Sequence, residues 1–239
     1  YGIAMQVSGA VQFVSTSIVN AMNPQIMKAE GAGERQKMIR LCAYESKYAF
    51  LLLAMVVIPL IAEMETILQV WLGEVPVHAV MFCRFILIAA LCDQISIGWT
   101  SANQAIGKIR TYSIIFYTLK LFVIFIAWWC LQEGLPIISV MWGYVAIEFI
   151  GSFVRLPLMK HIANIPITPF FKNVFLRIIG PLATMVVVCY SSAILIDIPY
   201  RLILTFSCSL VVGVLSIWGF ALNIEEKQYV KNIIKKLKK

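Results

Sequence analysis

Charge is scarce in this sequence: only 13% of its 239 side chains are Asp, Glu, Lys or Arg, against about 25% in an ordinary soluble domain. With 61% hydrophobic residues and a mean hydropathy of +0.86, a fold that shows water a mainly polar surface is excluded. Histidine is nearly absent, and His78 and His161 fall at opposite ends of the predicted bundle, where they read as interfacial side chains. The six cysteines (42, 83, 92, 130, 189 and 208) form no CxxC pair, so they read as small core residues rather than metal ligands or a disulfide framework. The sequence also lacks a phosphate-cradling GxxxxGK[ST], an HExxH and a GxSxG. No enzymatic chemistry, cofactor or metal is therefore expected.

What the sequence has instead is long apolar runs. Seven stand out, at about 3–22, 48–72, 77–98, 113–131, 137–159, 178–196 and 202–222. About 20 apolar residues cross the hydrocarbon of a bilayer as a helix, and none of these runs alternates as a barrel strand would. The expected fold class is all-α: a polytopic transmembrane bundle of about seven helices over 1–222, followed by a tail at 223–239. The chain opens Tyr1-Gly2-Ile3, without an initiator Met or a basic leader. It is not a signal peptide and reads as a chain cut within or just before a membrane helix.

The net charge of +8 is explained by its placement. Lys28, Arg35, Lys37, Arg40 and Lys47 lie in the first connection, Lys108 and Arg110 in the third, and Arg155, Lys160, Lys172 and Arg177 in the fifth; six more lysines lie in the tail. The alternate connections hold Arg201 alone. By the positive-inside rule the chain starts outside and its C-terminus is cytoplasmic. Topology thus accounts for the basic balance, and nucleic acid is not a partner. In the tail, Ile224, Val230, Ile233, Ile234 and Leu237 recur at helical spacing among the lysines, the pattern of a basic amphipathic helix on an anionic leaflet. Residues 167–172 form a second expected interfacial segment.

Polar groups inside the runs are the candidate site. Ser8, Gln12, Thr16 and Asn20 recur at four-residue steps in the first run, so they share one helix face. Asp93, Ser96, Thr100, Asn103 and Gln104 repeat the device in the third run, and Tyr144, Glu148, Ser152 and Arg155 in the fifth. Such stripes either line a water-filled path or act as interhelical hydrogen-bond glue. Arg84, Asp93, Lys120 and Glu148 are full charges that each cost about 2.5–3.5 kcal/mol at mid-bilayer. They either pair internally, Lys120 with Asp93 or Glu148, or engage an anionic substrate or a coupling ion.

The first connection carries a family likeness. Asn23-Pro24-Gln25-Ile26 followed by Glu30-Gly31-Ala32-Gly33-Glu34-Arg35 is similar to the connection after the second helix of a lobe in the multidrug/oligosaccharidyl-lipid/polysaccharide flippase superfamily. Val70-Trp71-Leu72-Gly73 and Asn103-Gln104-Ala105-Ile106-Gly107-Lys108 resemble the next two signatures in order. The likeness covers about the first 160 residues and is nearest the bacterial polysaccharide-biosynthesis branch, the O-antigen and capsule repeat-unit flippases. It implies one lobe of a two-lobed flippase, with a missing N-terminal lobe of the same protein as partner. It also implies a bacterial inner-membrane location and a polyprenyl-diphosphate-linked oligosaccharide moved by alternating access. Ser8, Gln12, Thr16, Asn20, Arg84 and Lys120 would then line the substrate path, with Asp93 and Glu148 serving ion coupling or charge pairing.

Two alternatives remain: a drug/cation antiporter of the same superfamily, or a self-contained seven-helix receptor. The receptor is disfavoured because the last run has no lysine for a Schiff base and the Asp-Arg-Tyr and Asn-Pro-x-x-Tyr signatures are missing. The orientation is testable. In a cysteine-free background, single cysteines at Lys28, Lys108 and Lys172 are expected to resist an impermeant thiol reagent applied to sealed cells, and labelling at any of them would reverse the topology.

Overall fold

In a computed structural model, the chain is described over residues 1–163, 165–195, 201–223 and 226–228. The predicted amphipathic tail, apart from this short piece, and the connection at 196–200 lie outside the described residues. Among those described, all regular structure is helical: ten α-helices and two π-helical turns. Six segments are long and apolar enough to cross a membrane, and a bent helix pair makes a seventh.

The helices outrun their apolar cores. α1 (Gly2–Gly31) continues through Pro24, and α2 (Arg35–Ala62) begins well before the apolar run. The expected first connection of some 25 residues therefore shrinks to Ala32, Gly33 and Glu34, because hydropathy marks the lipid-buried part of a helix and not its ends. Glu34 and Lys37 pair at 2.7 Å on the surface of this turn, and the Lys37 ammonium holds the Glu34 carboxyl below its ordinary pKa. The second run is not one helix: α2 stops at Ala62, and after Glu63 the chain restarts as α3 (Met64–Leu72). The third run is also broken. α4 (Ala79–Gln94) and α5 (Ile97–Ile106) meet at a 46° bend, and α5 ends on Gly107, whose left-handed φ of 79° allows its N–H to reach the carbonyls of Asn103 and Gln104.

α6 (Ile109–Gln132) and α7 (Ile137–Ala163) form the next hairpin. After the short α8 (Ile167–Phe170) and a π turn at Phe171–Phe175, α9 (Leu176–Leu195) pairs with α10 (Arg201–Ser216), which ends in a second π turn at Ile217–Ala221. Within the expected interfacial segment at 167–172, Phe170 is buried against Trp99 with ring centroids 4.9 Å apart, while Thr168, Phe171 and Lys172 are exposed.

α2 is the centre. It packs against α1, α4, α5, α9 and α10, and 67% of its apolar window is buried by the rest of the chain. α6 is the opposite case at 11%, presenting Phe122, Phe125, Trp128 and Trp129 outward. α5 lies almost in backbone contact with α2 at Gly98, whose N–H donates to Ser46 Oγ at 2.9 Å. A Cβ at Gly98 would stand 2.0 Å from the Cys42 carbonyl oxygen.

A methyl group is therefore not tolerated there. Gly98→Ala is expected to cost at least the ~1–3 kcal/mol of an overpacked core, seen as a lower unfolding temperature in detergent. Gly9→Ala, inside α1 where nothing lies within 4 Å, is expected not to lower that temperature, alanine being the better helix former.

Candidate functional site

Three helices bring four charges together. Lys120 on α6 lies 3.0 Å from the Glu148 carboxylate on α7 and 3.9 Å from Asp93 on α4. On the other side of Asp93, Arg155 of α7 makes a 2.6 Å contact with Oδ1. It also donates to the Asp93 carbonyl at 2.9 Å and to Ser96 Oγ at 3.3 Å. Ser152 donates to the Cys92 carbonyl and, at 3.1 Å, to that of Glu148. Helical spacing explains the convergence: Glu148, Ser152 and Arg155 step by four and three along one face of α7. Phe116 lies beside both cations, its ring centroid 4.9 Å from Lys120 Nζ and 4.3 Å from the Arg155 guanidinium carbon, a geometry that favours positive charge. Gly151 lets the α7 backbone approach that ring, since a Cβ there would lie 3.3 Å from it.

The cluster stands between two polar cavities. One, of about 340 Å³, lies among α4, α5, α6 and α7, with Thr100, Asn103, Gln104, Tyr112, Lys120 and Arg155 in its wall. Thr100 and Tyr112 share a hydrogen bond of 2.9 Å across it. The other, of about 250 Å³, is bounded by α1, α4, α6 and α7, with Ser8, Gln12, Lys120, Tyr144 and Glu148 in its wall. Asp93 and Lys120 line both.

The expected site residues are thus partly gathered. Ser8 is buried and Gln12 lies on the second cavity, its amide nitrogen 3.2 Å from Ser8 Oγ. Thr16 and Asn20 are exposed on the same side of α1, whose buried positions are Ala4, Ser8, Val11, Ser15, Ile26 and Ala29. Arg84 does not join: its Nε donates to the Ile61 carbonyl at 3.0 Å, satisfying an acceptor orphaned where α2 ends. His78 occupies the position before α4 without a side-chain capping hydrogen bond, and His161 lies in the last turn of α7.

Several charges assigned to connections, or passed over, prove to be buried in the bundle. Arg155 is one. Lys47 is another, 2.6 Å from Glu226 and 3.3 Å from the Ala221 carbonyl. Glu63, fully buried at the α2–α3 break, is held by Arg201 at 3.1 Å and accepts Thr205 Oγ–H. Glu45 is equally buried. The signal for Glu63 was visible, a lone carboxylate inside an apolar run, whereas Lys47 and Glu45 were masked by a connection drawn too long.

Comparison with family models, curated proteins and solved structures finds no match to this chain. Helix length and hydropathy decide the class. The chain is a multi-pass helical membrane protein.

Lys120→Leu strands Glu148 in the bundle, and with the pair partly exposed the expected loss is about 1–3 kcal/mol. Folded yield by size exclusion is expected to fall with Lys120→Leu and to recover in Lys120→Leu/Glu148→Gln. A double variant no better than the single one would show that the pair does not hold α6 to α7.

Proposed function

We propose that this chain is the C-terminal lobe of a polysaccharide-type flippase. It carries a polyprenyl-diphosphate-linked oligosaccharide from the cytoplasmic to the outer leaflet of a bacterial inner membrane. The carrying observation is the open polar side of α1: Gln12, Thr16 and Asn20 are left uncovered by the rest of the chain, and Gln12 borders a cavity that reaches Lys120 and Glu148. Thr16 donates to the Phe13 carbonyl at 3.0 Å and Gln12 to Ser8 at 3.2 Å, but hydrocarbon cannot satisfy the remaining amide hydrogens and oxygens of Gln12 and Asn20. A water-filled path between this lobe and a second one satisfies them, and their neutral donors and acceptors suit a sugar headgroup that must be released again.

The cations suit the diphosphate. Lys120 and Arg155 are balanced by Glu148 and Asp93, so an arriving anion competes with a carboxylate instead of meeting a bare charge. Exchange of that kind binds without trapping, which a carrier requires, since a conformational shift is driven only by differential affinity for its two states. The order of signatures at Pro24, Gly73 and Gly107 resembles that of the superfamily to which such flippases belong.

Large side chains on the open face test this reading in the full-length protein. Gln12→Trp or Thr16→Trp is expected to abolish surface delivery of the glycan while folded yield stays near that of the parent. Normal delivery, or collapse of the yield, would reject a transport path along α1. Coupling of proton or sodium to drug efflux in vesicles, with no effect on glycan delivery, would favour the antiporter instead.

A further inference from the structure

Four glutamates of the described bundle are buried: Glu45, Glu63, Glu148 and Glu226. Three hold a cation, Arg201, Lys120 and Lys47 respectively. Glu45 does not. Its Oε1 accepts the Ser101 hydroxyl at 2.8 Å, and its Oε2 is buried without a hydrogen-bond partner among the described residues. The charged groups on the surrounding elements are engaged elsewhere or turned outward. Glu30 of α1 is paired with Arg35, Asp93 of α4 with Arg155, and Lys47 with Glu226. Arg177 of α9 reaches the Ala221 carbonyl, Arg201 of α10 holds Glu63, and Lys172 of the π turn is exposed. One turn before Glu45, the Cys42 thiol lies 3.5 Å from Met38 Sδ.

An ionised carboxylate with one hydroxyl donor and no counter-charge is not stable away from water, so such a group neutralises. We propose that Glu45 is a proton-binding site, occupied in this conformation, and that its proton keeps α5 docked on α2. The docking has two polar points one helical turn apart, Ser46 on the Gly98 N–H and Glu45 on Ser101. At the first of them the backbones are too close for a side chain at Gly98, and at the second Glu45 is wholly buried, so water does not reach a charge there while the two helices stay docked. Loss of the proton therefore requires α5 to part from α2 until water enters. Because α5 carries Thr100, Asn103 and Gln104 of the larger cavity, parting it moves that cavity's wall. The inference is independent of the cargo and holds equally if the flippase reading fails.

The test is made on the full chain in lipid nanodiscs, its six native cysteines replaced by alanine and spin labels placed at Arg40 on α2 and Gln104 on α5, both exposed. Pulsed dipolar spectroscopy is expected to show a longer Arg40–Gln104 separation as pH rises, with Glu45→Gln and Glu45→Met held at the short separation throughout. Infrared difference spectra are expected to show a protonated carboxyl band that is lost in Glu45→Gln and kept in Glu148→Gln. A pH response that survives both Glu45 substitutions, a parent protein with no response, or an infrared band indifferent to Glu45 would overturn the proposal. A separation that follows sodium at fixed pH would overturn it in favour of a metal cation.

Discussion

An unpaired charge has almost no place to stand in hydrocarbon, and the tertiary contacts of this bundle are organised around that constraint. Among the described residues five ion pairs join elements distant in sequence: Lys120–Glu148 links α6 to α7, Lys120–Asp93 links α6 to α4, Arg155–Asp93 links α7 to α4, Glu63–Arg201 links the α2–α3 break to α10, and Lys47–Glu226 links α2 to the segment after α10. Apolar packing alone discriminates weakly between arrangements in a bilayer, because lipid tails solvate leucine as well as another helix does. Paired charges select one register because a slipped helix would leave both partners stranded.

The α9–α10 hairpin illustrates the selection. It is fastened to α2 at opposite ends, by Arg201 on Glu63 and by Glu226 on Lys47. Ala221, at the end of the second π turn, offers its carbonyl to both Lys47 and Arg177, which is the expected use of an acceptor left over at a helix terminus. The last two helices thus belong electrostatically to the same body as the central helix, although their sequence carries only hydropathy.

Number and approximate position of the spans were legible, since seven long apolar runs have one economical interpretation. Their ends were not. Gly2–Gly31 and Arg35–Ala62 extend through charged residues that a hydropathy reading assigns to a loop, because helix formation needs only backbone pairing and does not stop where lipid stops. The breaks at Glu63 and at Ile95-Ser96 carry no proline or glycine at the bend itself, so local breaker signals could not reveal them. Within the candidate site, spacing placed Glu148, Ser152 and Arg155 on one face, and chemistry suggested acidic neighbours for Lys120. Arg155 as the grip on Asp93, and Glu45 as a carboxylate without a cation, depend on which helices lie side by side, a property no single-helix periodicity contains.

The bend between α4 and α5 has a mechanical consequence. α5 spans ten residues, so it is a rod of about 15 Å whose near end is held where Arg155 grips both the Asp93 carbonyl and Ser96. Rotating such a rod by about 10° displaces its free end by roughly 3 Å, the width of one water molecule. A change of angle too small to disturb the packing at the pivot is thus large enough, at the tip, to decide whether a chain of solvent is continuous or cut.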